Sequence, residues 1–142
     1  MTWARGLATG GLGLDGKYML RGPFVSRDHR KLEAFQLADR LVVLIYKHTA
    51  ALPASDRYGL LSQIPRAAVS VPTNIVEGCA RAGEGDYLRF LDIAFASARE
   101  LLYLIDLSSR LGFLTEHSRA QLTTLGNQVA GTLSAPRSSL GR

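Results

Sequence analysis

Apolar residues recur at spacings of three and four along the chain from residue 32 onward. Because an α-helix completes a turn every 3.6 residues, this spacing gathers apolar side chains on one face of a helix. The pattern predicts four helices, at about 32–51, 56–82, 86–111 and 116–134. The sequence gives no signal for a β-strand. Four helices with short links predict an all-α fold, an antiparallel up-down-up-down four-helix bundle.

Residues with special backbone preferences mark the ends of the helices. Pro53 stops the first helix, since its ring cannot continue the hydrogen-bond pattern. The Ser55 hydroxyl can accept a hydrogen bond from a free N–H in the first turn of the second helix. Gly112 suits the left-handed conformation in which helices often end, which predicts the end of the third helix.

The second helix has two faces of different character. Its apolar face contains Leu61, Ile64, Ala68, Val71, Ile75 and Cys79. The opposite side is a polar stripe of Arg66, Ser70, Asn74, Glu77 and Arg81. Pro65 and Pro72 lie inside the helix, and each removes one backbone hydrogen bond. We therefore expect a helix that is kinked near these two prolines.

The polar stripe admits a structural and a catalytic interpretation. Glu77 and Arg81 are four residues apart in the order that favours an ion pair. We expect Glu77 to engage Arg66, Arg81 or a neighbouring helix terminus, and Ser70, Asn74 and Glu77 to be structural. The alternative is a catalytic acid at Glu77 with an orienting amide at Asn74. The structural interpretation is favoured because polar networks between packed helices commonly serve packing.

Composition and charge divide the chain of 142 residues into three parts. Residues 1–27 hold six of the 14 glycines and a net charge of +3, which predicts a flexible extension. Residues 28–136 form the predicted bundle, and residues 137–142 a disordered tail. The net charge of the whole chain is +5, so everything after residue 27 contributes only +2. One cysteine, and no apolar run long enough for a membrane span, lead us to expect a cytoplasmic protein.

Motifs for cofactor, metal or nucleophilic chemistry do not assemble. A GxGxxG match at residues 11–16 has neither the preceding strand nor the following helix that a dinucleotide site needs. His29, His48 and His117 lie in different segments and form no metal-ligand pair, and we expect His48 to be a packing residue. Cys79 falls on the apolar face of its helix, where a free thiol behaves as a small hydrophobe. We expect no enzyme activity and no cofactor.

Two of the predicted helices carry more apolar side chains than the single stripe that a helix buries inside a bundle. This surplus predicts self-association. The first helix carries a second stripe, and the third adds two phenylalanines beside its main stripe. These additional residues are Leu37, Leu41, Leu44, His48, Phe90 and Phe95. Because an exposed apolar patch of this size is unusual in a monomer, we expect a homo-oligomer.

The run from Tyr58 to Arg81 resembles the signature segment of proteins encoded by intervening sequences of 23S ribosomal RNA genes. Segments at 45–46, 52–53, 87–94 and 97–101 extend the resemblance to about residues 31–135. Pro65 stands where these proteins usually have a second arginine, and Val76 where alanine is commoner. The resemblance implies a bacterial four-helix bundle that assembles into a cyclic pentamer. A related group, the accessory variability determinant proteins of diversity-generating retroelements, is linked to nucleic acid and reverse transcriptase.

These observations lead to two functional hypotheses. The first is a non-enzymatic oligomeric bundle, with self as one partner, that binds RNA, DNA or a nucleoprotein. Its candidate contacts are Arg57, Arg66, Arg81, Arg89 and Arg99. The alternative is a structural or protein-interaction module without nucleic-acid binding.

Overall fold

A computed structural model describes residues 27–50, 52 and 59–138, with side chains described as far as residue 135. A 3-10 helix at His29–Lys31 precedes four α-helices. These are α1 (Glu33–Ala50), α2 (Leu60–Cys79), α3 (Glu84–Arg110) and α4 (Glu116–Ser138). The described part contains no β-strand, which confirms the prediction of an all-α fold. Ser55, the predicted cap, and most of the predicted N-terminal extension and C-terminal tail lie outside the described residues.

Each helix packs against two others, as in a four-helix bundle. Helix α1 packs beside α2 and α4, and α3 packs beside the same two helices, whereas no Cα atoms of α1 and α3, or of α2 and α4, lie within 8 Å of each other in the described part. The side chains between them form one apolar core. Its largest fully buried members are Leu41, Ile45, Ile64, Ile75, Leu101, Ile105, Leu122 and Leu133.

The observed helix ends follow local chemistry. Helix α3 is followed by Gly112 with φ of +83°, which confirms the predicted glycine stop. Helix α4 begins after Thr115, whose Oγ1 accepts a hydrogen bond from the backbone N–H of Ser118 at 3.1 Å. Helix α4 continues past Pro136 to Ser138, four residues beyond its predicted end. A proline so close to a helix end sacrifices only one backbone hydrogen bond, so the helix tolerates it.

Helix α2 is continuous across both of its prolines. Pro72 is buried, and its apolar ring adds to the core. Cys79, at the end of the same helix, is 1% exposed, as its apolar position predicted. Burial raises the pKa of the Cys79 thiol, because the thiolate would lose its hydration.

His48 joins α1 to the beginning of α4. Its Nε2 lies 3.1 Å from Oε1 of Gln121, and its Nδ1 lies 3.0 Å from the Ser118 hydroxyl. The ring is half-buried, so it packs as predicted, but it also bridges two helices through hydrogen bonds. The sequence prediction of a plain packing residue missed this bridge, because both partners are about seventy residues away in the chain.

The additional apolar residues of α1 and α3 are covered largely within one chain. Phe90 is buried, while Leu37, Leu44 and Phe95 are half-buried and pack against the core. A helix with two neighbours needs an apolar face wider than one stripe, so these residues do not by themselves require a second chain, and self-association stays a prediction. Large apolar side chains that remain exposed are Val43, Tyr46, Val76, Ile93, Tyr103 and Leu111. None of the described helices has the length and apolar character to span a membrane.

Candidate nucleic-acid interface

Two of the predicted arginines meet over one aromatic ring. The Cζ atoms of Arg81 and Arg89 lie 4.7 and 4.9 Å from the centroid of the Phe90 ring. Both distances are within the range of cation–π attraction. Phe90 itself is only 7% exposed, so its ring is held in place by the bundle while the arginines reach solvent.

A glycine in α2 brings this ring close to the neighbouring helix. A Cβ atom added at Gly78 would lie 2.9 Å from Phe90 Cβ and 3.2 Å from the Tyr87 carbonyl oxygen. Both distances are shorter than ordinary van der Waals contacts, so only glycine fits without displacing α3. Gly78 therefore sets the distance between α2, which ends just before Arg81, and α3, which carries Phe90.

Each arginine over Phe90 also has an acidic neighbour. Arg81 Nη2 lies 3.1 Å from Oε1 of Glu77, which confirms one of the pairings expected for that carboxylate. Arg89 Nε lies 3.7 Å from Oδ1 of Asp86. All four side chains are substantially exposed, with 54% exposure for Glu77 and 42% for Arg81. Such solvent-exposed pairs contribute little stability and exchange partners at low cost.

A third arginine lies on the adjacent aromatic residue. The Arg27 Cζ is 3.9 Å from the centroid of the Tyr87 ring, and its Nη2 lies 4.0 Å from Glu84 Oε2. The Arg27 N–H donates a 3.3 Å hydrogen bond to the Cys79 carbonyl. Burial raises the pKa of the Tyr87 hydroxyl. Electrostatic repulsion by Cys79 and Glu84 raises this pKa further, whereas the positive charge of Arg27 lowers it. Although the sequence analysis placed Arg27 in the extension, it contacts the bundle.

Tyr87 and Phe90 are three residues apart and so are neighbours on the surface of α3. The two rings and the three guanidinium groups therefore lie on one end of the α2–α3 pair. We call the group Arg27, Arg81, Tyr87, Arg89 and Phe90 the arginine–aromatic cluster.

The other predicted arginines do not join this cluster. Arg66 lies on α2 thirteen residues before its end at Cys79, so it is about 20 Å along the helix axis from the end that precedes Arg81. Arg99 lies ten residues after Arg89 on α3, about 15 Å away. Both are exposed, and neither has an ion-pair partner in the part that the structure describes. Arg57 lies outside the described residues.

The polar stripe of α2 divides between the packing seam and the solvent. The Ser70 hydroxyl lies 2.8 Å from the Ser97 hydroxyl of α3, and Asn74 Nδ2 donates to the Ser70 carbonyl at 2.7 Å. The sequence did not predict that Ser97 takes part in this contact. The one feature that could have indicated it is the position of Ser97 on the inner side of α3. Glu77 points outward instead. No group of acidic, histidine or cysteine side chains in the described part could hold a metal ion.

The model of the 23S rRNA-intervening sequence protein family matches residues 30–135. The chain belongs to this family. This intervening-sequence protein is similar in fold to a solved structure from Bacteroides thetaiotaomicron, described as a protein of unknown function from the S23 ribosomal protein family. The TM-score is 0.67 at 20% identity, covering 72% of this chain and 92% of the other. No curated protein matches the chain.

Proposed function

We propose that this intervening-sequence protein is a non-enzymatic, homo-oligomeric RNA-binding bundle of the cytoplasm, and that the arginine–aromatic cluster is its RNA contact. The observation that carries the proposal is the position of Arg81 and Arg89 over the buried ring of Phe90. Guanidinium groups bind phosphate with two parallel hydrogen bonds, and they also stack on bases. The cluster thus offers the groups that single-stranded RNA contacts in many proteins.

The acidic neighbours of the cluster do not prevent this contact. Exposed ion pairs such as Arg81–Glu77 are worth about 0–1 kcal/mol, so a phosphate can replace the carboxylate at small cost. The remaining negative charge does weaken each individual contact. Binding to this surface is therefore expected to be modest for one chain and sensitive to salt.

Assembly would compensate for weak single contacts. We propose an antiparallel up-down-up-down bundle, bent at the prolines of α2, that forms a ring of five. The antiparallel arrangement is supported by two contacts of α2 with α3: Ser70 meets Ser97, whereas Gly78, later in α2, meets Phe90, earlier in α3. A ring would present several copies of the cluster to one RNA strand, and linked contacts raise the overall affinity. Light scattering tests this assembly directly, because a mass near 15.4 kDa would exclude any oligomer.

The RNA contact is tested by comparing matched arginine variants. We expect Arg81→Gln with Arg89→Gln to weaken binding of a single-stranded RNA at least about tenfold, since two charge-assisted contacts are lost. Arg110→Gln is the control, because Arg110 is an exposed α3 arginine paired with Asp106 at 2.9 Å but stacked on no aromatic ring of the described residues. The salt dependence should also fall by about 0.7 log units per log unit of salt for each lost contact. Equal effects of the cluster and control variants would contradict the proposal.

The alternative function is a protein-interaction module without RNA. Its support is the charge balance, since residues 27–50 and 59–135 hold eleven lysine or arginine side chains and ten acidic ones. A nearly neutral surface attracts RNA only weakly over long distances. No detectable RNA binding at low salt, together with a stable oligomer, would favour this alternative.

A further inference from the structure

A second candidate binding surface lies between α1 and α4, helices that contribute no residue to the arginine–aromatic cluster. An open cleft of about 410 Å³ runs between them. We call it the α1–α4 cleft. The lining residues are Arg40 and Leu44 of α1 with His117, Ala120, Gln121, Thr124, Leu125 and Gln128 of α4. This volume lies within the range of small-molecule sites.

The polar side chains of the cleft have unused hydrogen-bonding capacity. Among the described residues, Thr124 and Gln128 have no side-chain hydrogen bond. Gln121 uses only its Oε1, which lies 3.1 Å from His48 Nε2, so its amide N–H groups remain available. The contact with His48 also limits how Gln121 can rotate. The α1–α4 cleft thus presents two amides and a hydroxyl beside the apolar side chains of Leu44 and Leu125.

The charge of the cleft is positive. Arg40, the arginine that lines the cleft, has no ion-pair partner in the described part, while Glu33 and Lys47, seven residues before and after it on the same side of α1, balance each other. Acidic residues on the two helices are Glu33, Asp39 and Glu116, and none of them lines the cleft. Glu116 is already paired with Arg119. A ligand with a negative group therefore finds an unneutralised guanidinium there.

We propose that the α1–α4 cleft binds a nucleotide, either free or as one unit of an RNA strand. Arg40 holds the phosphate, because a guanidinium matches phosphate geometry. Gln121, Thr124 and Gln128 bind the polar edge of the base, since side-chain amides can both donate to and accept from a base. Leu44 and Leu125 provide the apolar surface for its ring. The α1–α4 cleft shares no residue with the arginine–aromatic cluster. This proposal and the proposed function can therefore be tested independently, and the failure of one leaves the other unaffected.

Calorimetric titration of the full chain tests the proposal with four probes: AMP, adenosine, inorganic phosphate and a ten-residue oligoadenylate RNA. We expect AMP to bind more tightly than adenosine or phosphate, because the cleft contacts both parts of a nucleotide. Arg40→Gln and Gln128→Leu should each weaken AMP binding at least about fivefold. Arg99→Gln is the matched control, since Arg99 is also exposed and has no ion-pair partner among the described residues, but lies on α3 outside the cleft and the arginine–aromatic cluster. Thermal unfolding verifies that each variant is folded.

The four probes also distinguish the source of the nucleotide. Binding of AMP that depends on Arg40 supports a free nucleotide as ligand. If only the oligoadenylate binds, and Arg40→Gln weakens that binding relative to Arg99→Gln, the ligand is a unit of an RNA strand. The proposal is overturned if phosphate alone binds as tightly as AMP, or if Arg40→Gln and Arg99→Gln behave alike with every probe. Loss of RNA binding in Arg81→Gln with Arg89→Gln, while AMP still binds, would locate the two sites separately.

Discussion

Replacement of Gly78 by alanine tests how tightly α2 and α3 pack. The new methyl group would lie 2.9 Å from Phe90 Cβ and 3.2 Å from the Tyr87 carbonyl oxygen. Neither atom is at the end of a flexible side chain, so neither can rotate away. The two helices would have to move apart, and Phe90 would shift relative to the arginines above it.

The magnitude follows from two opposing effects. Alanine favours a helix over glycine by about 1 kcal/mol. Overpacking of a close interface costs about 1–3 kcal/mol, with a midpoint of about 2 kcal/mol. We therefore expect Gly78→Ala to lower the free energy of unfolding by about 1 kcal/mol, despite its better helix propensity.

Two other helical glycines serve as controls in the same urea-unfolding assay. A Cβ at Gly131 meets no described atom within 4 Å, so Gly131→Ala should raise the free energy of unfolding by about 0.5–1 kcal/mol. A Cβ at Gly126 would lie 2.8 Å from Leu102 Cδ2, the end of a side chain that can rotate, so Gly126→Ala should fall between the two. If Gly78→Ala were as stabilising as Gly131→Ala, the close approach of α2 and α3 would be refuted.

Three further predictions concern stability. Glu77→Ala should lower the free energy of unfolding by no more than about 0.5 kcal/mol, because the pair with Arg81 is exposed; chemical denaturation that showed a loss of several kcal/mol would mean a buried carboxylate. Ser108→Ala should raise it by up to about 1 kcal/mol, since the buried Ser108 hydroxyl has no hydrogen-bond partner in the described part; urea unfolding that showed a loss would reveal an unseen partner. A chain shortened to begin at Arg27 should melt within a few degrees of the full chain, whereas Arg27→Ala in that shortened chain should melt measurably lower, because its side-chain contacts with Tyr87 and Glu84 are lost; calorimetry showing no difference between the two would contradict this.

The helices could be predicted from the sequence because each depends on local pattern. Repeated spacings of three and four located all of them, and Gly112 marked the end of α3 correctly. The end of α4 was placed four residues too early, at residue 134, just before Pro136. A proline in the last turn disrupts little, and no local rule distinguishes that case from a true end.

The candidate site could be predicted only in part. Arg81 and Arg89 were named from the sequence, but their meeting over Phe90 depends on how α2 and α3 pack, which residue spacing within one helix does not contain. Phe90 itself was interpreted as surplus apolar surface. The α1–α4 cleft was missed for the same reason, since Arg40 of α1 and Gln121 of α4 are brought together only by long-range contacts.

The hydroxyl pair of Ser70 and Ser97 fixes the axial register of α2 against α3. Helices can slide only by about one turn, 5.4 Å, before their surface ridges fit again, and such a slide would separate the two hydroxyls, now 2.8 Å apart. It would also replace Gly78 by a bulkier residue opposite Phe90. The Ser70–Ser97 contact and the Gly78–Phe90 contact, eight residues apart along α2, can thus form together in a single alignment of α2 and α3. The packing of α2 against α3 therefore positions the arginines over Phe90 before a ligand binds. Binding of a ligand to these arginines does not include the entropy cost of bringing the two helices together.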